Sequence, residues 1–559
     1  MPAATPRQST ATESPTDPRW RLATWLGGGI ILALLVWQRW ELANIAQWRE
    51  DQTTNLWLGL QTWRGAYLPP IGLINSLGVP NPNGMNWIGF LLSIIPSLRV
   101  ISFVLGLAQL ALIARVCQLL FTGNPLLGAA ALLVAGSCLQ VVLPGLEFWA
   151  QWTLGLVNLL FFSALFSLRQ GSSPFLAIFV IVNCALAAPA LYLAGVLNSI
   201  GYGVILVLTL RHQPNVWRSL IGRAWQKVLW ISAVLLHLVL VWLPFAWIGA
   251  FSGVGGLSRP IWQRLKEGGL TLVDFPLTLY RLLPDGMESL CQVTPTLMSP
   301  RFYQALRWSH ALAAGLIVLS CLWLWRTRQF RLGSLLVFPL LLSILSPLLG
   351  GFAWGLGERP DQVVQFLPLL LIFAFSLFRG RLKWQGPVFL LAVLFAGTHL
   401  QMGHQLETAL VNYRGEKLGE ADLPLDDRRR AVDFIAGDWL NGEHHSVSDR
   451  IPVHYSYGEA PLFHEPEVVM WVGIIRRYGG MMSNWFPDSP YTIGRGYDWE
   501  LMRRWHLETQ DNGTAETERS WKGQRYTLSM VGLPPPAYLP SSAQHHEFGR
   551  VRVSIVAGQ

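Results

Sequence analysis

Charge is scarce in this sequence. Only 13% of its 559 residues are Asp, Glu, Lys or Arg, while 52% are apolar and 27 are tryptophan. Soluble domains carry about 25% charged residues, so this balance excludes an ordinary soluble enzyme and matches a chain with many membrane spans. Cysteine is also sparse: Cys117, Cys138, Cys184, Cys291 and Cys321, four of them in apolar segments. They offer neither a disulfide framework nor a zinc-ligand spacing. Internal repeats are missing, as are the paired Gly- or Pro-broken segments that mark inverted-repeat transporters. Acids are scarcest in the first part. Residues 1–402 hold 26 Lys/Arg against 12 Asp/Glu, whereas 403–559 hold 16 against 21. The formal charge of +9 is therefore read as membrane topology rather than as a nucleic-acid-binding surface.

What the sequence has is a series of long apolar runs. About 17–25 apolar residues cross a bilayer as a helix, and such runs fall at 22–38, 99–121, 125–143, 149–168, 174–190, 192–210, 228–250, 309–325, 332–351, 362–378 and 384–402. The expected fold is thus an α-helical polytopic membrane protein of about eleven spans, with 173–210 open to a different split. Residues 86–97 are too short to span alone and read as a re-entrant or interfacial helix. Arg211, Arg218, Arg223 and Lys227, then Arg326, Arg328 and Arg331, then Arg379, Arg381 and Lys383 mark three acid-free connections. The positive-inside rule makes these cytoplasmic. Alternation then puts the tail 1–21 inside, and the loops 39–98, 251–308 and 352–361 outside, together with 403–559. The first run lacks a small-x-small cleavage site and reads as a retained anchor.

Residues 403–559 contain no span and no cysteine. An amphipathic helix is expected over 425–442, with Val432, Ile435 and Trp439 on one face. A second helix is expected over 497–507, and strands over 450–456, 525–533 and 551–557. These pieces make a small extracytoplasmic α/β domain. His444–His445 and His545–His546 are adjacent rather than spaced for a shared metal face, so they read as loop residues. His237, within a span, reads as a hydrogen-bonded packing residue.

Apart from Glu13 and Asp17 in the tail, every acid before residue 403 lies on an external loop or a span end. Acid-dependent chemistry is therefore expected at the outer surface. Asp51 is the leading candidate. Over 39–63 the spacing is helical, so that Trp40, Ile45, Trp48 and Leu56 can rest at the interface. Asp51 and Asn55 would then share its polar side. A partly desolvated carboxylate there has the chemistry of a general base. The alternative is an ordinary solvated acid on an amphipathic helix.

The stretch "DQTTNLWLGLQTWRGAYLPPIGLINSLGVPNPNGMNWIGFLLSIIPS" (51–97) resembles the first external loop of the GT-C membrane glycosyltransferases. The resemblance points to family 39, which holds protein O-mannosyltransferases and lipid A aminoarabinose transferases. Asp51 takes the place of the family's loop Asp, Gly65 and Pro69 that of its Gly/Pro, and Pro80–Pro82 that of its proline turn. The segment "ERPDQVVQFLPLLLIFAF" (358–375) is similar to a late span of that family. The resemblance implies transfer of a sugar from a polyprenyl-phosphate-linked donor to a hydroxyl of a lipid, glycan or protein acceptor, with inversion. The site would lie outside the cytoplasmic (inner) membrane, with Asp51 as base. Arg359, then Arg64, are the candidates for the lipid phosphate. Glu147 is a candidate to orient the acceptor, and Asp361 is placed to pair with Arg359. Gln52 stands where the family usually has Glu, and Asn81 and Asn83 where some members have Glu-Lys. Hard cations want several carboxylate oxygens, so no metal ligand is assigned and a Mg2+ or Mn2+ ion would have little to hold it. Two other classes stay open: a lipid-linked sugar flippase, and an inactive GT-C-like scaffold.

Overall fold

In the computed structural model, the described residues are 18–46, 71–74, 80–211 (save 96, 172 and 194), 224–247, 365–412, 424–441, 453–455, 525–532 and 539–556. Isolated positions are described at 48, 55, 56, 59, 62, 299–301, 304, 308, 315 and 535. The chain is helical through its first part: α1 (Pro18–Leu42), α2 (Gly84–Leu92), α3 (Leu98–Leu120), α4 (Pro125–Ser137), α5 (Leu139–Gly145), α6 (Ala150–Arg169), α7 (Pro174–Leu191) and α8 (Gly195–Leu210). Next come α9 (Ala224–His237), a π-helical turn (Leu238–Trp242), α10 (Leu243–Trp247), α11 (Leu367–Ala374), a 3-10 turn (Phe375–Phe378) and α12 (Leu382–Asn412). Among the described residues, five helical stretches are long and apolar enough to cross a membrane. They are Leu98–Leu120, Ala150–Arg169, Pro174–Leu191, Ala224–Trp247 and Lys383–Asn412. The pair α4–α5, bent by 62°, makes a sixth if taken as one broken span. Apart from position 315, the expected spans at 309–325 and 332–351 lie outside the described residues, as does the helix expected over 497–507.

Local sequence explains where the helices stop. Gly123, Gly171 and Gly380 have φ of 84°, 76° and 79°, the left-handed conformation that ends a helix cheaply only in glycine. Pro125 and Pro174 then start the next helices at positions whose N–H would have no partner anyway. These turns share one end of the bundle. Gln170 donates from Nε2 to the Leu119 carbonyl (2.7 Å) and to Thr122 Oγ1 (2.8 Å), and Gln385 from Nε2 to Asn124 Oδ1 (3.0 Å). The 173–210 run divides at Tyr192, which is extended at φ −152°, ψ 131°.

Two apolar clusters fill the bundle. One joins α3, α4, α6, α7, α8, α11 and α12 through residues such as Leu127, Phe161, Phe162 and Phe373. The other lies toward the opposite end and joins the close of α1, α2, the start of α3, α5 and the far part of α12. It includes Leu42, Trp48, Phe148, Leu406 and Leu425. Helix α12 is 31 residues long, ten beyond the span end at 402.

Past α12 lie α13 (Leu425–Asn441) and strands β3 (Val453–Tyr455), β4 (Arg525–Met530), β5 (Gln544–Phe548) and β6 (Val551–Val556). A shorter antiparallel pair, β1 (Ile71–Ile74) with β2 (Pro80–Pro82), belongs to the first loop. The four-stranded sheet has the order β3-β4-β6-β5, with β3 parallel to β4 and the other pairs antiparallel. Strand β5 corrects the sequence reading: His545 and His546 lie in a strand, not a loop, because β5 and β6 form a hairpin in which His545 Nδ1 meets Ser554 Oγ at 2.8 Å. Phe434 of α13 packs on His546 and Phe548, with ring centroids at 4.5 and 5.0 Å. Ile435 is fully buried, as its expected apolar face requires.

Candidate functional site at the non-turn end of the bundle

Asp51, Arg64, Arg359 and Asp361 lie outside the described residues; the frame around Asp51 does not. The sequence placed Trp40, Ile45, Trp48 and Leu56 on one interfacial helix, and the structure differs. Helix α1 tightens into a 3-10 turn (Ala43–Ile45), after which Ala46 is extended at φ −60°, ψ 133°. Only Trp40 is exposed; Ile45, Trp48 and Leu56 are buried. The reason is polar as well as apolar. Trp48 Nε1 donates to Ser102 Oγ at 2.9 Å, which satisfies the indole inside the bundle instead of at the lipid headgroups. Asn55 is also buried, so in the sequence Asp51 stands between two buried residues, Trp48 before it and Asn55 after it.

The short helix α2 packs against Asn55 and Gly59, which follow Asp51 in the sequence. A Cβ on Gly89 would collide with the Asn55 backbone oxygen, and one on Gly59 with the Phe90 backbone nitrogen. The two chains thus cross backbone to backbone, a contact open only to glycine. The Asn residues of the proline turn fasten this helix to the spans. Asn81 Oδ1 accepts from the Leu193 N–H (3.0 Å). Asn83 Nδ2 and Trp87 Nε1 donate to the Leu240 carbonyl (3.1 and 3.2 Å), within the π-helical turn. These asparagines hold the loop in place by hydrogen bonds to backbone.

Glu147 is the one sequence-nominated site residue that the structure describes. It follows α5, is 7% exposed, and accepts a hydrogen bond from Trp152 Nε1 at 3.0 Å. Its neighbour Phe148 packs on Trp48, ring centroids 6.3 Å apart. Glu147 therefore stands next to the residue that packs on Trp48. A buried carboxylate needs such partners, since unpaired burial of charge is costly.

The approach to Glu147 is set by the bend between α4 and α5, a feature missed from sequence. A broken helix leaves carbonyls and N–H groups without helical partners, and here side chains from α1 and α12 take them. Arg39 Nη1 donates to the Gly136 carbonyl (2.8 Å), and Gln38 Nε2 to that of Ser137 (3.0 Å). His399 Nδ1 accepts from the Leu139 N–H (3.2 Å). Arg39 also donates to the Leu35 and Gly106 carbonyls (3.1 and 3.0 Å) and is fully buried, although the sequence reading began an external loop at that residue. The signal was available: "VWQRW" places two strong polar side chains at the very end of an apolar run, and "AGSC" supplies the small residues they approach. His237 departs from expectation too. It is half-buried at the end of α9 and makes no hydrogen bond among the described residues.

A second polar knot sits at the start of α11, near the sequence position of Arg359 and Asp361. Asn198 donates from Nδ2 to Asn158 Oδ1 (3.3 Å) and to Gln365 Oε1 (3.2 Å), and Tyr202 OH donates to Asn158 Oδ1. These bonds tie the entry of α11 to α6 and α8. Among the described residues no group of three or more His, Cys, Asp or Glu converges on a metal position. Cys117, Cys138 and Cys184 are buried free thiols.

No protein-family model matches this sequence, and no curated protein matches it. Among solved structures, the chain is similar to two crystal structures of ArnT from Cupriavidus metallidurans, one in the apo state and one bound to undecaprenyl phosphate. In both comparisons 12% of residues are identical, 96% of this chain and 98% of that chain are covered, and the TM-score is 0.43.

Proposed function

We propose that this protein is a membrane glycosyltransferase that moves a sugar from a polyprenyl-phosphate-linked donor to an acceptor hydroxyl, on the extracytoplasmic side of the inner membrane. The observation that carries the reading is the setting of the first loop. Its Gly/Pro pattern resembles the GT-C loop, and Asp51 lies in sequence between the buried Trp48, which packs on Phe148 beside the buried Glu147, and the buried Asn55 and Leu56. In this reading about eleven spans form the transferase body, and 403–559 form an extracytoplasmic domain. The acceptor O–H gives its proton to the Asp51 carboxylate as its oxygen bonds to the anomeric carbon. The anomeric C–O bond to phosphate breaks on the opposite face, and its electron pair leaves with the polyprenyl phosphate. Arg359 and Arg64 hold that phosphate, a kind of charge stabilisation worth about 3–4 kcal/mol for one well-placed donor. Glu147 orients the acceptor, and Asp361 pairs with Arg359.

The test is the purified full chain in liposomes with radiolabelled polyprenyl-phosphate sugars. Label appearing in a glycoside, with polyprenyl phosphate released, supports transfer. Label that crosses the bilayer while still attached to the lipid contradicts it and identifies a flippase.

A further inference from the structure

The close of α1 is held by an unusual number of polar contacts, and most of them come from the far end of the chain. Arg99, at the start of α3, donates from Nη2 to the Trp40 carbonyl (3.1 Å) and lies over the Trp40 ring at 4.1 Å. That carbonyl belongs to the last turn of α1, where carbonyls commonly take partners from outside the helix. Arg99 is in turn paired through Nη1 with Asp426, in the first turn of α13. The Asp426 backbone N–H donates to Asn44 Oδ1 (3.0 Å), and Asn44 Nδ2 donates to Glu407 Oε1 (3.2 Å) in the extension of α12. Glu41 meets His404 at 3.2 Å. Behind Asp426, the buried Asp427 accepts from the Arg550 N–H (2.9 Å), and Arg550 Nη1 donates to the Leu410 carbonyl (3.3 Å). Gly549, at φ +62°, lets the β5–β6 turn sit against the Asp427 carboxylate, where a Cβ would collide.

An isolated exposed ion pair would contribute little, about 0–1 kcal/mol. This pair is not isolated. Arg99 is only 16% exposed and is shared between a carboxylate, a carbonyl and an indole face. Asp426 acts through both its carboxylate and its N–H. The sheet, α13 and α12 thereby converge on residues 40–44, which lead directly to Trp48 and the Asp51 segment.

We propose that the C-terminal part is an in-chain clamp: α13, through Asp426, fixes the close of α1 and so positions the first loop. Arg99, Asn44 and Asp426 are positioning residues that touch no reacting atom. Their catalytic consequence rests on the glycosyltransferase reading; the clamp does not.

The experiment is hydrogen exchange on the full chain in detergent, comparing wild type with Asp426→Asn, Asp426→Glu and Asn44→Ala. Asp426→Asn and Asn44→Ala should each exchange about tenfold faster over residues 40–62, as expected for loss of a charge-assisted or buried bond of roughly 1.4 kcal/mol. Exchange in α6 and α7 should stay unchanged, and Asp426→Glu should recover protection. Unchanged protection over 40–62 in both variants overturns the clamp, and so does a uniform rise across all helices in both, which would mark them as general stability residues. With a lipid-linked sugar, the two variants should lower kcat with KM for the donor retained. Faster exchange in a protein that transfers no sugar would keep the clamp and refute only the glycosyltransferase reading.

Discussion

Replacing His399 with leucine tests whether side chains, rather than water, hold the bend between α4 and α5. His399 is fully buried, and its Nδ1 accepts from the Leu139 N–H at 3.2 Å, so the ring is neutral with its proton on Nε2. Leucine has similar volume but no acceptor. The first N–H of α5 is then orphaned in a low-dielectric interior, at about 1–3 kcal/mol. The ring contact with Phe395, centroids 4.2 Å apart, is also lost and adds about 0.5–1 kcal/mol. The sum is about 1.5–4 kcal/mol. Asparagine offers an acceptor oxygen near the Nδ1 position and should recover part of this loss despite its smaller size. Intrinsic tryptophan fluorescence during thermal unfolding in detergent reads the effect. The order expected is wild type, then His399→Asn, then His399→Leu, with a control of Arg115→Gln on an exposed face unchanged. A leucine variant that melts with wild type, or above the asparagine variant, would refute the capping argument.

Gly89→Ala should separate α2 from the 55–59 segment, because the added methyl meets the Asn55 backbone and not a flexible side chain. Protease sensitivity of residues 43–97 should rise while the bundle still melts near wild type. Tyr526→Phe removes a hydrogen bond of 2.7 Å to Asp438 and should cost about 1 kcal/mol. Burial first, and then the Asp438 carboxylate, push the Tyr526 phenol above its ordinary value of 10.0. The folded state therefore holds the proton more tightly than the unfolded chain, and the contribution of Tyr526 to stability is complete below its ordinary value of 10.0 and falls progressively as the pH rises beyond it. The phenylalanine variant should show a shallower alkaline loss of stability, measured by fluorescence melting from pH 8 to 11.

The parts legible in the sequence were those fixed by period and composition. Apolar runs located α3, α6 and α7 to within a residue or two, and Pro, Gly and basic residues marked the turns. Helix α13 and three of the four sheet strands followed from local pattern. Strand β5 did not, because "QHHEF" is polar along its length and is held by the β6 hairpin, a long-range cause. Likewise, the end of α1 could not be read from spacing. Helical periodicity runs on through 39–63, but Trp48 finds Ser102 and Asn44 finds α12 and α13, so tertiary hydrogen bonds override the local pattern. The bend at Cys138 carries no proline at the break itself; its polar partners lie about 100 and 260 residues away in sequence.

The central claim is that Asp51 is the base of a sugar transfer. Its most direct test is the single-turnover rate of purified full-length protein with a polyprenyl-phosphate sugar and acceptor, in wild type and Asp51→Asn. General base catalysis contributes about 10²–10⁴-fold. The account predicts a loss of at least about 100-fold in the chemical step with donor affinity retained. An Asp51→Asn protein that transfers sugar at the wild-type rate would contradict it.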